Sequence, residues 1–217
     1  LKVTATFLPA PENSGYKIQR IDLPEQPIID AVAENVIETS RGTVIGRGDV
    51  KVSTIEHAMA ALYCAEIDNC LIQIDAPELP ILEGSAILYV NEIERVGVVE
   101  QNAEKDYFII KSKIEVVDEE TGSSILVLPD DEFSVNTMVS YNSPILTNQY
   151  AALDRLSDFK ENIASCRTFV FVREIEPLLK HGLIKGGDLD NAIVIYDREM
   201  EQTELDRIAD TIGVEHK

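Results

Sequence analysis

Alternating apolar and polar positions over residues 3–8 and 16–22 predict two strands. They flank the turn-rich PAPENSG, where Pro11, Asn13 and Gly15 break the pattern. Residues 28–36 read as a further strand region, followed by a glycine-punctuated stretch from Gly42 to Gly48. Ser53-Thr54-Ile55-Glu56 has the Ser-x-x-Glu spacing of a capping box and predicts a helix running to about Ala65. Ile55, Met59, Leu62 and Tyr63 form its main apolar stripe, while His57, Ala60, Ala61 and Cys64 form a second face of mostly small residues. Such a helix should be buried over most of its surface. Cys70, Ile72 and Ile74 alternate as one face of a strand that ends in the acidic, proline-rich DAPELPILEGSA. A second apolar helix is expected around residues 86–93.

The polar run 101–106 interrupts the pattern and sets an expected boundary between a domain of residues 1–103 and another of 104–217. Beyond it, residues 107–117 and 123–129 read as a hairpin turning on Glu120-Thr121-Gly122. A strand over 133–141 and a helix over 153–164 follow. The last third reads as strand 168–172, helix 174–181 stopped by Gly182, the loop Lys185-Gly186-Gly187-Asp188, and strand 191–196. A final helix carries Leu205, Ile208, Ala209 and Ile212 on one face and ends at Gly213. The expected fold class is therefore α+β: two domains, each of sheet layered against helices, the second incomplete.

Composition narrows the function. The 217 residues hold 19 Lys+Arg against 39 Asp+Glu, a formal net charge of −20. Nucleic-acid or anionic-membrane binding needs clustered cations to neutralise phosphate, so both classes are set aside. An acidic substrate would need a few basic residues converging in one pocket. No apolar run reaches the length of a membrane span, and the opening LKVTATFLPAP lacks the basic flank of a signal peptide. With no initiating Met, the chain reads as a piece of something longer. Cys64, Cys70 and Cys166 form no CxxC pair and no disulfide framework, which fits a reducing cytoplasm.

Chemistry could sit in few places. Glu56-His57 lies in the first turn of a helix, where Glu56 would serve either as a capping partner or as a general base beside a metal-ligating histidine. One histidine cannot make a zinc site, which takes three or four protein ligands. His181, before Gly182, suits a helix C-terminus, and His216 lies one residue from the chain end. Cys166 beside Arg167 could be an activated thiol but has no histidine near it in sequence. The Lys185–Asp188 loop could hold an anion on its backbone, without the spacing of a phosphate-binding loop.

Five words occur in a fixed order: Thr54-Ile55-Glu56-His57, Ile67-Asp68-Asn69, Pro80-Ile81-Leu82-Glu83-Gly84-Ser85-Ala86, Arg167-Thr168-Phe169, and Gly186-Gly187 followed by Asn191-Ala192-Ile193-Val194. Together they resemble the UDP-3-O-acyl-N-acetylglucosamine deacetylases, zinc hydrolases of lipid A biosynthesis. The wording is nearest to Bacteroides-type versions, often fused to a 3-hydroxyacyl-carrier-protein dehydratase. The resemblance implies hydrolysis of the N-acetyl group of a UDP-sugar lipid, with an active site between two α+β domains. It implies that His57 is a zinc ligand, that Glu56 is the general base toward the attacking water, and that the Thr168 hydroxyl stabilises the oxyanion. It further implies that Phe169 and Tyr141 flank the sugar. Residues 170–196 match a strand–helix–strand insert lining an acyl-chain passage, to which Leu183 would contribute.

The sequence also departs from the family pattern. The R-H-K-x-x-D words carrying the family's other zinc ligands, and a later K-S-G-H, are missing, so further ligands and a catalytic histidine are expected beyond the chain end. Val214-Glu215-His216-Lys217 imitates the first half of the ligand motif with Glu215 in place of arginine. The glycine-rich opening of the family is missing too, and Glu83 stands where aspartate is commoner. The expectation is a piece, truncated at both ends and inactive alone, of a working enzyme. Two rivals remain: a non-catalytic binding protein of the same fold without its metal site, and an acyl transferase using Cys166.

Overall fold

The computed structural model describes residues 2–40, 42–141, 143–175, 190–197 and 199–212. The first half comprises β1 (Ala5–Pro9), β2 (Tyr16–Arg20), β3 (Ile28–Asp30), β4 (Val36–Glu38), β5 (Val44–Arg47), β6 (Val50–Val52), α1 (Glu56–Cys64), β7 (Cys70–Ile74) and α2 (Ile87–Val96). Several small sheets packed with helices make the chain α+β, as the two periodicities predict.

The main sheet runs β1-β7-β2-β3. β7 is antiparallel to β1 and parallel to β2, so it separates two strands that are neighbours in sequence. The alternation seen in the sequence sets the register: Ile72 lies opposite Phe7 on one side and Ile18 on the other, and Ile18 lies opposite Ile29. Ile18, Ile29, Ile72 and Ile74 are completely buried. A three-stranded antiparallel sheet, β4-β5-β6, adds Ile45 and Val52, which face each other across the ladder. α1 and α2 supply Ala58, Ala61, Leu62, Tyr89 and Val90 to the same core.

Residues 28–36 are not one strand. The Asn35 side chain donates to the Asp30 carbonyl at 2.8 Å and closes a reversal through a 3-10 turn at Ala33–Asn35. Nor is α1 buried along the expected stripe. Ile55, Ala58, Ala61 and Leu62 face the core, Met59 only partly, and Tyr63 is exposed, edge-on to Phe133 at 5.1 Å. The helix packs most closely against α2, and the larger Tyr63 faces outward.

The second half begins with two hairpins, β8 (Ile114–Val117) with β9 (Ser124–Val127), and β10 (Val135–Val139) with β11 (Gln149–Leu153). The expected turn at Glu120–Gly122 is present, closed by Gly122 N–H donating to the Asp118 carbonyl at 2.8 Å, but residues 107–113 lie outside the ladder. Ile125, Leu126, Met138 and Tyr150 on these hairpins are exposed. Residues 153–164 do not form one helix. The ladder to β10 takes up Leu153, and the chain continues through a 3-10 turn at Leu156–Asp158 into the single turn α3 (Phe159–Asn162). Their apolar residues are nonetheless core residues: Leu153, Phe159 and Ala164 pack into the cluster built by the first half.

β12 (Phe169–Phe171) and β13 (Ile193–Ile195) pair in parallel, and residues 172–175 begin a helix. Val172, Ile175 and Ile208, the last on α4 (Gln202–Ile212), form a second small core with Val170, Val194 and Met200. The rest of the expected helix 174–181, with His181, Gly182, Leu183, the Lys185–Asp188 loop, Gly213 and His216, lies outside the described residues.

One buried charge ties the two sheets of the first half together. Arg20 donates to both carboxylate oxygens of Asp22 (2.8 and 2.7 Å) and to the Lys51 carbonyl within β6 (2.8 Å). This fork holds the Asp22 carboxyl below its usual range. A depressed carboxyl pKa adds stability above its unfolded value, and that stability is lost as pH falls through the folded value. Asp22→Asn should therefore cost about 1–3 kcal/mol at pH 7 by leaving Arg20 half-satisfied. The gap in urea midpoint between variant and parent should narrow below about pH 4. A constant gap from pH 7 to 3 would remove the pair from the acid response.

Candidate functional site

The capping box does not form. α1 starts with Ile55 as its N-cap residue and no side-chain cap. Ser53 Oγ instead donates to the Pro77 carbonyl at 3.3 Å, and Thr54 Oγ1 donates to Glu78 Oε1 at 2.7 Å. Backbone bonds between Ser53 and Pro77–Leu79 complete a parallel bridge. Thr54 is held at φ +59°, an unfavourable conformation for a β-branched residue, and the 77–79 segment fixes it there. The helix entrance is thus built by a segment 24 residues downstream.

Glu56 does not close on its own helix either. Its Oε2 accepts the Thr43 backbone N–H at 3.0 Å, and a Cβ added at Gly42 (φ +151°) would stand 3.0 Å from its Oε1. The glycine stretch before β5 therefore serves as a seat for this carboxylate. His57 is half-buried in the first turn, and its Nδ1 is buried with no hydrogen-bond partner. An orphaned buried imidazole nitrogen is costly, and it is the type of donor that zinc takes. Among the described residues no group of three or more His, Cys, Asp or Glu side chains is placed to hold a metal ion. His57 fits zinc as one donor of a set that the described residues do not complete.

Thr168, Phe169 and Tyr141 come together around β12. The Thr168 N–H donates to the Gly84 carbonyl at 2.7 Å, and its carbonyl accepts the Ile193 N–H at 2.9 Å. Arg167 strengthens the junction: its Nε donates to the Glu83 carbonyl at 2.7 Å and its Nη2 to the Asp190 carbonyl at 2.5 Å. Gly84 (φ +88°) lies so close to the segment leading into β13 that a Cβ there would fall 2.0 Å from the Asn191 carbonyl oxygen. The Pro80–Ala86 loop is thereby locked to the segment carrying Thr168. Tyr141, Phe169 and Phe171 form a closed set of edge-on rings with centroids 5.4–5.9 Å apart.

Glu56 and His57 lie on α1, which Glu56 ties to the β4–β5 loop, whereas Thr168, Phe169 and Tyr141 belong to the Gly84–β12 junction; the hydrogen bonds tie each group to its own framework. Cys166 is exposed, its thiol 3.9 Å from the Asn162 carbonyl, while burial pushes the Cys70 thiol up to about 11. Val170 and Val172, expected along an acyl passage, are packed in the second core. Sequence reading missed the roles of Gly42, Glu78 and Gly84. The glycines themselves, in the Gly42–Gly48 stretch and in the Pro80–Ala86 word, were the legible signal for Gly42 and Gly84; nothing local pointed to Glu78.

A family model described as UDP-3-O-acyl N-acetylglycosamine deacetylase matches residues 1–217, and the chain belongs to that family. It is 66% identical over 216 residues to the bifunctional enzyme LpxC/FabZ of Bacteroides thetaiotaomicron, covering all of this chain and 47% of that protein. The corresponding protein of Porphyromonas gingivalis is 59% identical over 217 residues, again with 47% of its length covered. A UDP-3-O-acyl-N-acetylglucosamine deacetylase of Citrifermentans bemidjiense is 38% identical over 216 residues, with 99% of this chain and 70% of that protein covered. The chain thus spans about half the length of the bifunctional relatives it matches. The family expected from the five sequence words is borne out.

Proposed function

We propose that this chain is the deacetylase portion of a longer protein that hydrolyses the N-acetyl group of UDP-3-O-acyl-N-acetylglucosamine, releasing acetate, in lipid A biosynthesis. The family match across all 217 residues, spanning every motif-bearing position, carries the reading. Water adds its oxygen to the acetamide carbon, the C–N bond breaks, and the sugar amine leaves with a proton. Glu56 takes the proton from the attacking water. The Thr43 N–H that it accepts keeps the carboxylate oriented. The Thr168 hydroxyl donates to the developing oxyanion, positioned by the backbone bonds to Gly84 and Ile193. Tyr141 and Phe169 flank the sugar, and Leu183 lines the acyl chain.

Zinc is the proposed cofactor; held by His57 with donors outside the described residues, it supplies Lewis-acid polarisation of the carbonyl and acidifies water. A dehydratase-type unit is the proposed fusion partner, by analogy with the bifunctional relatives. Among the described residues no helix is long and apolar enough to cross a membrane. The three free thiols support a cytoplasmic setting.

Purified parent protein should release acetate from the UDP-sugar lipid and carry one zinc per chain. His57→Ala should lose the metal with the fold retained by circular dichroism. A folded parent with no stoichiometric metal after gentle purification would overturn the zinc reading, and no acetate release from zinc-loaded parent would overturn the activity.

A further inference from the structure

Behind the three rings is a buried charge that the proposed chemistry does not use. Asp197, just after β13, has a side chain 1% exposed, and it pairs with Arg173, which follows β12. Its other oxygen, Oδ1, is buried without a hydrogen-bond partner. The Arg173 guanidinium carbon stands 4.3 Å from the centroid of the Phe171 ring. Phe171 is buried, whereas Phe169 is exposed and Tyr141 half-buried, so Phe171 is the inner ring of the set.

A buried carboxylate is expensive unless paired, and a half-satisfied one is more so. A guanidinium over a ring face is attracted by the ring's negative quadrupole, and it needs a fixed acceptor to stay over that face. Asp197 provides that acceptor. Phe171 in turn meets both Phe169 and Tyr141 edge-on, a geometry sensitive to ring tilt. The chain of contacts therefore runs from the end of one parallel strand to the exposed ring on the other.

We infer that Arg173 and Asp197 are positioning residues: the ion pair clamps Phe171 and so sets the orientation of Tyr141 and Phe169. The consequence for catalysis rests on the reading that these two rings flank the sugar. A clamp acting on bound substrate throughout the reaction alters KM rather than kcat.

The test uses the full parent protein labelled with 3-fluorotyrosine, the Tyr141 resonance being assigned by its loss in Tyr141→Phe. Asp197→Asn keeps the shape and removes the charge. It should move the Tyr141 fluorine resonance and raise KM for the UDP-sugar lipid about tenfold, with kcat within about twofold. Arg173→Lys keeps the charge pair but not the guanidinium over the ring, and should give a smaller change in both. Phe171→Leu should abolish the effect of Asp197→Asn when the two are combined. A moved resonance with unchanged KM supports the clamp and sinks the sugar-flanking role instead. A resonance unmoved in both Asp197→Asn and Arg173→Lys, or effects simply additive with Phe171→Leu, overturns the inference. Should Asp197→Asn fail to fold, the Arg173→Lys resonance and its cycle with Phe171→Leu decide the matter alone.

Discussion

Gly84→Ala should unfold the junction between the Pro80–Ala86 loop and β13. The added methyl would lie 2.0 Å from the Asn191 carbonyl oxygen and 2.9 Å from its carbonyl carbon, both backbone atoms that no rotamer change can move aside. The backbone at φ +88° adds a penalty of its own for any side chain. Overpacking and left-handed strain together should cost about 3 kcal/mol. For a chain of this size that lowers Tm by about 6–12 °C. Thr168 lies on the same junction, so activity of the parent should fall along with stability. Gly48→Ala is the internal comparison. Gly48 has a similar positive φ but open space around it, so its substitution should cost only about 1 kcal/mol of backbone strain. Equal melting temperatures for the two variants would show that the close approach at Gly84 is not structural.

Glu56→Gln should separate chemistry from architecture. Because the carboxylate accepts the Thr43 backbone N–H and no side chain caps α1, a glutamine carbonyl can take the same bond. The urea midpoint should shift by no more than about 0.5–1 kcal/mol, the difference between a charged and a neutral acceptor. A general base cannot be replaced in this way, and acetate release by the parent should drop about 10²–10⁴-fold. Ordinary turnover in a folded Glu56→Gln protein would refute the base assignment. A large loss of stability would instead make Glu56 a structural anchor of the Gly42 loop.

Much of the fold was legible because its periods are simple. β2 and β7 alternate cleanly, and the buried isoleucines fall where alternation put them. The failures share a cause. Ser53 and Glu56 have the right spacing for a capping box, but their bonding groups found partners at Pro77 and Thr43, and no local rule ranks a distant partner against a near one. Residues 153–164 have apolar positions at helical spacing and do reach the core, yet pairing with β10 claimed Leu153 first. Of the site, the words around Glu56, His57 and Thr168 could be read directly. Their supports could not: Arg167 reaches back 84 residues to Glu83, and Arg173 forward 24 to Asp197.

The strand order of the main sheet also has a consequence for biosynthesis. β7 sits between β1 and β2, so the central strand is the last of the four to leave the ribosome. Until residue 74 has emerged, β1 has no partner in the native ladder and the β2–β3 hairpin has an unpaired edge. Nascent chains shorter than this display Ile18 and Ile29 without the strand that covers that edge, a template for pairing with other chains. The parallel β2–β7 closure then spans more than fifty residues of intervening sheet and helix, a non-local step that slows folding. Chaperone demand should therefore be greatest while β3 to α1 are being translated, and should drop once β7 slots into place.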